Sequence, residues 1–100
     1  MKMHKPPHPG EFIEDVYLEE HGVSRAELAR ALNVAPSTVQ RLIATRAAVS
    51  PGMAIKLEKA LGVSAKSWLA MQSAHDLWLA EKDRSLLTGA SVLKLGDRAA

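Results

Sequence analysis

The stretch that most constrains this chain is SRAELARALNVAPSTVQRLI, residues 24–43. Ser24 and Glu27 have the spacing of a capping box, in which hydroxyl and carboxylate satisfy the free amides of a helix start. Leu28, Ala29 and Leu32 then recur on one helical face. Asn33 suits the left-handed conformation that stops a helix. Three residues on, Pro36 fits the first position of a new helix, where its missing amide costs nothing. Val39, Leu42 and Ile43 give that helix an inner face. Two helices of about eight to ten residues must therefore meet across the turn NVAP, which leaves the chain almost no choice of path.

The same punctuation orders the rest. Residues 1–8, with Pro6 and Pro7 in a polar run, predict an extended N-terminal arm. Pro9-Gly10 opens a helix carrying Phe12, Ile13, Val16 and Tyr17, ending at Gly22. Ser50-Pro51 starts a fourth helix, with Met53, Ile55, Leu57 and Leu61 expected inside and Gly62 closing it. Ser64 caps a fifth, running to about Ala80. Residues 9–80 thus form one all-α, five-helix domain, and residues 81–100 a polar, glycine-broken flexible tail. Within it SVLKL, residues 91–95, alternates weakly enough to be either a short strand or tail.

Composition narrows the function. One hundred residues supply one core but not a core plus a roomy enclosed active site. No run of 18 apolar residues predicts a membrane span, and MKMHKPPHPGEF lacks the apolar region of a signal peptide. The absence of cysteine excludes disulfides and thiolate metal sites and fits a cytoplasmic protein. A net charge of +2 is too small to argue from. Its distribution says more: Glu11, Glu14, Asp15, Glu19 and Glu20 crowd the first helix, whereas Arg30, Arg41, Arg46 and Lys56 stand without an acid between Leu28 and Leu57. Such segregation marks a nucleic-acid face in some proteins and a solvated surface in others.

Two short helices across a tight turn are what a helix-turn-helix needs. In that motif the first helix crosses the phosphate backbone and the second enters the major groove. Burying Leu32, Val34, Val39 and Leu42 leaves Pro36, Ser37, Thr38, Gln40, Arg41 and Ala44 outside. Arginine pairs with guanine, glutamine with adenine, and the threonine methyl meets the thymine methyl.

VSRAELARALNVAPSTVQRLI resembles the Xre/Cro-type, lambda-repressor-like helix-turn-helix. HPGEFI at the start and MAIKLEKALGVSAKSWLAMQSAHDLW after the motif resemble, more narrowly, the HigA/VapI antitoxins of toxin-antitoxin modules, over roughly residues 7–80. The resemblance implies a compact all-helical homodimer that represses its own operon from an inverted-repeat operator and neutralises a partner toxin, often a HigB-like mRNA-cleaving enzyme. It implies base contacts from Ser37, Thr38, Gln40 and Arg41, with Gln40 at the groove wall, and phosphate contacts from Arg25, Arg30 and Arg46. The chain departs from the pattern at Ala35, where a capping Ser, Thr or Asp is usual. Such a loss costs about 1 kcal/mol, partly offset by Pro36.

The fifth helix, 64–80, carries Trp68, Leu69, Met71, Ala74, Leu77, Trp78 and Leu79, more apolar surface than one small core absorbs. Trp68, Leu69, Gln72 and Leu79 are therefore the candidate dimer interface. Other groupings are weak. His4 and His8 are four apart, but Pro6 and Pro7 forbid the helix that would pair them as metal ligands. His75 reads as a core or interface histidine. No phosphate loop, nucleophile elbow or carboxylate cluster points to an enzyme or a cofactor. Two other readings keep the same fold: a stand-alone Xre-type repressor without a toxin, and a protein-interaction module that does not bind DNA.

Overall fold

A computed structural model describes residues 5–96; His4, with the rest of residues 1–4, and residues 97–100 lie outside the described residues. Five α-helices form: α1 Pro9–Ile13, α2 Arg25–Leu32, α3 Pro36–Ile43, α4 Pro51–Leu61 and α5 Ala65–Glu81. A π-helical segment, Glu14–Glu20, continues α1, and a 3₁₀ turn, Arg84–Leu87, follows α5.

The caps are those the sequence names. Ser24, Ser50 and Ser64 accept from Glu27, Met53 and Ser67 amides at 3.0, 3.1 and 3.1 Å. Asn33 and Gly62 take left-handed conformations after α2 and α4. Glu27 closes its box by accepting from the Ser24 amide, which holds its carboxyl below the ordinary range.

The first helix differs from expectation in its second half. There the backbone widens, with the His21 N–H reaching the Val16 carbonyl at 3.2 Å. A wider turn spreads consecutive residues less around the axis, so Val16, Tyr17 and Leu18 are all half-buried against the core. Residues 5–8 lie outside any helix, and their end is not free. His8 is buried and serves as the N-cap of α1, its Nδ1 accepting from the Gly10 N–H at 2.9 Å while its own N–H donates to Glu11 at 2.8 Å. A side chain on residue 10 would overlap the Leu42 carbonyl oxygen, so Gly10 is what lets α1 begin against the end of α3.

Ile13, Leu28, Leu32, Val39, Leu42, Ala54, Leu57 and Trp68 fill the centre. Around it α2 packs on α3 and α4, α1 on α3 and α5, and α4 on α5. Phe12 meets the edge of Trp68 at 5.8 Å. Ile55, expected inside, is 63% exposed: α4 presents Ala54, Leu57 and Leu61 at spacings of three and four, and residue 55 falls off that stripe.

The molecule is elongated, 58 × 33 × 26 Å. Every residue from Leu79 to Gly96 is exposed. No strand forms at residues 91–95.

Candidate nucleic-acid interface

The turn between α2 and α3 is set by the backbone. Asn33 (φ 55, ψ 51) directs its N–H to Arg30 at 3.1 Å, and Val34 reaches Ala29 at 3.0 Å. Ala35 is extended and gives α3 no side-chain cap; Pro36 occupies the first turn, and the Thr38 N–H reaches the Ala35 carbonyl at 2.9 Å. Unlike α2, α4 and α5, this helix therefore presents its first-turn amides uncapped by any side chain, at the end where the motif meets phosphate.

Val39, Leu42 and Ile43 are buried, and Ser37, Gln40, Arg41 and Ala44 lie together on the exposed face, with Thr38 partly buried at its edge. Spacings of three and four residues put them in one row. Thr45 takes a positive φ of 59, rare for a β-branched residue. The Arg46 N–H closes the turn on the Arg41 carbonyl at 2.8 Å. The side chains of Arg30 and Arg46 are exposed.

Arg25 is already engaged. Its Nη1 donates to Gln40 Oε1 at 3.0 Å and its Nη2 to Glu14 Oε2 at 3.3 Å. The Arg25–Glu14 pair is surface-exposed, 45% and 39%, so it contributes at most about 1 kcal/mol of stability but ties the start of α2 to both the π-helical segment and α3. Glu14 escaped the sequence reading because nothing in its local pattern separates it from the other acids of the first helix.

The four candidate interface residues divide. Trp68 and Gln72 belong to the protein's own interior and offer no surface, which corrects the expectation for both. The reason is their spacing: residues 68, 72 and 75 form the stripe facing α1 and the α3–α4 loop. There Gln72 accepts from the Val49 N–H at 2.8 Å and donates to Asp76 at 3.0 Å. Leu69 is half-buried against the core. Leu79 continues the stripe beyond the body and is 46% exposed, as is its neighbour Leu77 at 59%. The 3₁₀ turn folds back so that Ala80, Arg84, Leu86 and Leu87 line a shallow cleft.

Sequence reasoning missed the joint between arm and body. His8 and His75 meet edge to face at 5.1 Å, and His75 Nδ1 donates to the Pro6 carbonyl at 2.9 Å. Burial, then the nearby His75, lowers the pKa of His8 from its ordinary 6.5, against the opposing pull of Asp76, Glu11 and the Ala47 backbone. With Nδ1 accepting from Gly10, His8 works as a neutral cap.

Geometry defines a helix-turn-helix with an exposed polar face on its second helix. The helix-turn-helix family profile matches residues 17–68. The regulator YddM of Escherichia coli K12, described as of the helix-turn-helix type, is 48% identical over 82 residues, spanning 82% of this chain and 86% of its own. Antitoxin HigA-1 of Vibrio cholerae is 39% identical over 74% of this chain and 70% of its own. Among solved structures, antitoxin GraA in complex with its operator superimposes with a TM-score of 0.79 at 38% identity, covering 95% of this chain and 96% of that one. The chain belongs to the Xre-type helix-turn-helix family of DNA-binding regulators, on the branch that includes the HigA antitoxins. No helix among the described residues is long and apolar enough to cross a membrane.

Proposed function

We propose that the protein is the antitoxin of a toxin-antitoxin module: a homodimer that represses its own operon and binds a partner toxin, of the HigB-like mRNA-cleaving kind. The observation that carries the DNA half is the exposed row Ser37, Gln40, Arg41 with Thr38 at its edge. A structural relative solved on its operator, GraA, supports it. In this reading Arg41 and its neighbours touch bases, while Arg46 and Arg30 touch phosphate and set position without sequence. The toxin half rests on relatives bearing antitoxin names.

The dimer rests on the stripe of α5 running past the body into Leu79, beside exposed Leu77. A second copy seated there gives both apolar ends a cover and places two recognition helices about 34 Å apart, one turn of an inverted repeat.

Two measurements test the halves. If each subunit neutralises about four phosphates, operator binding has a log-log salt slope of about −7. Arg41→Ala then costs about 1 to 3 kcal/mol and relaxes one base pair, whereas Arg46→Ala weakens all sequences alike; equal loss on specific and random duplex for Arg41→Ala refutes its role. For the other half, the small reading frame neighbouring the gene is expressed with and without this protein. Growth arrest relieved in a stoichiometric complex supports an antitoxin. No arrest and no complex leaves a stand-alone repressor, and no salt-dependent DNA binding leaves an interaction module.

A further inference from the structure

Arg25 fixes more than a surface charge. A guanidinium has donors only, so its 3.0 Å bond to the Gln40 amide must be received by the oxygen. That settles which way the amide faces: Oε1 turns towards α2, and Nε2 is left to face away from it. Arg25 is itself held on its other side by Glu14, which limits its freedom to swing away and release Gln40. The planar fork lets one guanidinium hold both partners, which a lysine ammonium does with far less directional control.

Base edges answer this difference. Adenine offers the major groove an acceptor and a donor, and glutamine reads it by using both ends of its amide. Guanine offers two acceptors, N7 and O6. With its oxygen turned towards Arg25, the amide leads with its Nε2 donors, which suit the two acceptors of guanine; it meets the adenine amine only through the second lone pair of an oxygen that faces α2.

Resting on the operator-binding reading above, we propose that Arg25 is a positioning residue that turns Gln40 into a reader of guanine rather than adenine. Gln40 supplies the contact, Arg25 its orientation, and Glu14 the anchor of Arg25.

The test is selection of bound duplexes by the full-length protein from a pool with a randomised central segment, followed by sequencing. The wild type is expected to enrich guanine over adenine at one position of each half-site, by about 5- to 100-fold for a contact of this kind. Gln40→Ala erases the preference there and leaves the remaining positions enriched. Arg25→Lys keeps a cation at the start of α2 but not the fork; it lets the amide turn over, so that the same position shifts towards adenine. A purely structural role for Arg25 predicts instead a loss spread evenly over every position. Adenine at the Gln40-dependent position of the wild type, or guanine preference unchanged in Arg25→Lys, overturns the inference while leaving operator binding intact. A pool with no enriched motif overturns operator binding and this inference with it.

Discussion

The helix-turn-helix and the stretch from Leu77 to Leu95 are both rich in aliphatic side chains, and they meet water in opposite ways. In the first, Leu28, Ala29, Leu32, Val39, Leu42 and Ile43 are all at most 6% exposed. In the second, Leu77, Leu79, Leu86, Leu87, Val92, Leu93 and Leu95 are all at least 46% exposed. Helices about two turns long, each facing another helix, bury what their spacing puts on one side. From Leu79 to Leu95 the aliphatic side chains of the described chain remain exposed, with only a shallow cleft between the end of α5 and the 3₁₀ turn to gather some of them. Spacing decides which side of an element is apolar; only a second element decides whether that side leaves water.

The largest effect that sharpens this contrast belongs to Leu57→Ala. Leu57 is fully buried, and its truncation is expected to cost about 2–5 kcal/mol of a total of about 5–15, read as a lower urea midpoint. A charge pair on the other region attacks association instead. Leu77→Glu with Leu79→Glu is expected to weaken dimerisation on the order of 100-fold, since a charge left unpaired in an apolar contact is costly. Sedimentation should show a monomer with unchanged helix content. Lost helix content would mean that these leucines are part of the fold and that the two regions do not differ in this way.

The joint between the regions responds to pH. The folded protein holds a proton on His8 more weakly than the unfolded chain, which takes it up near 6.5. Stability is therefore full above that pH and is lost as pH falls through the lowered folded value. Thermal unfolding between pH 8 and 5 checks this, and His8→Asn, which keeps an accepting cap, should flatten the profile. An unchanged slope in that variant would assign the pH response elsewhere. The smallest effect is Leu77→Ala, expected to change the stability of the monomer by less than about 0.5 kcal/mol. A cost approaching that of Leu57→Ala would show Leu77 to be covered within one chain.

Much of the fold is legible in local signals. Ser24 with Glu27, Asn33, Pro36, Ser50, Gly62 and Ser64 each act within a few residues of themselves, so the borders of α2 to α5 follow from short-range chemistry. The polar row on α3 is equally legible, because Val39, Leu42 and Ile43 have one inward side and Gln40 and Arg41 must lie off it. The misplacements share another cause. Ile55, Trp68 and Gln72 sit on helices with apolar residues on several sides, and which side turns inward depends on other elements: α2 and α5 for α4, and α1 with the α3–α4 loop for α5. Gln72 read as surface because glutamine usually is; its partner, the Val49 amide, lies 23 residues away.

By itself, the sequence determined five helices, the serine caps of the second, fourth and fifth, a tight turn between the second and third, and a polar face on the third, since each depends on groups within reach of one or two helical turns. Only the tertiary structure decided that His8 is a buried cap against His75, that Gly10 must be bare to admit the Leu42 carbonyl, and that Arg25 is shared between Glu14 and Gln40. Those contacts join residues 11 to 67 positions apart. No local propensity specifies them; they exist because packing one apolar core brings these polar groups within hydrogen-bonding distance and leaves them few other partners.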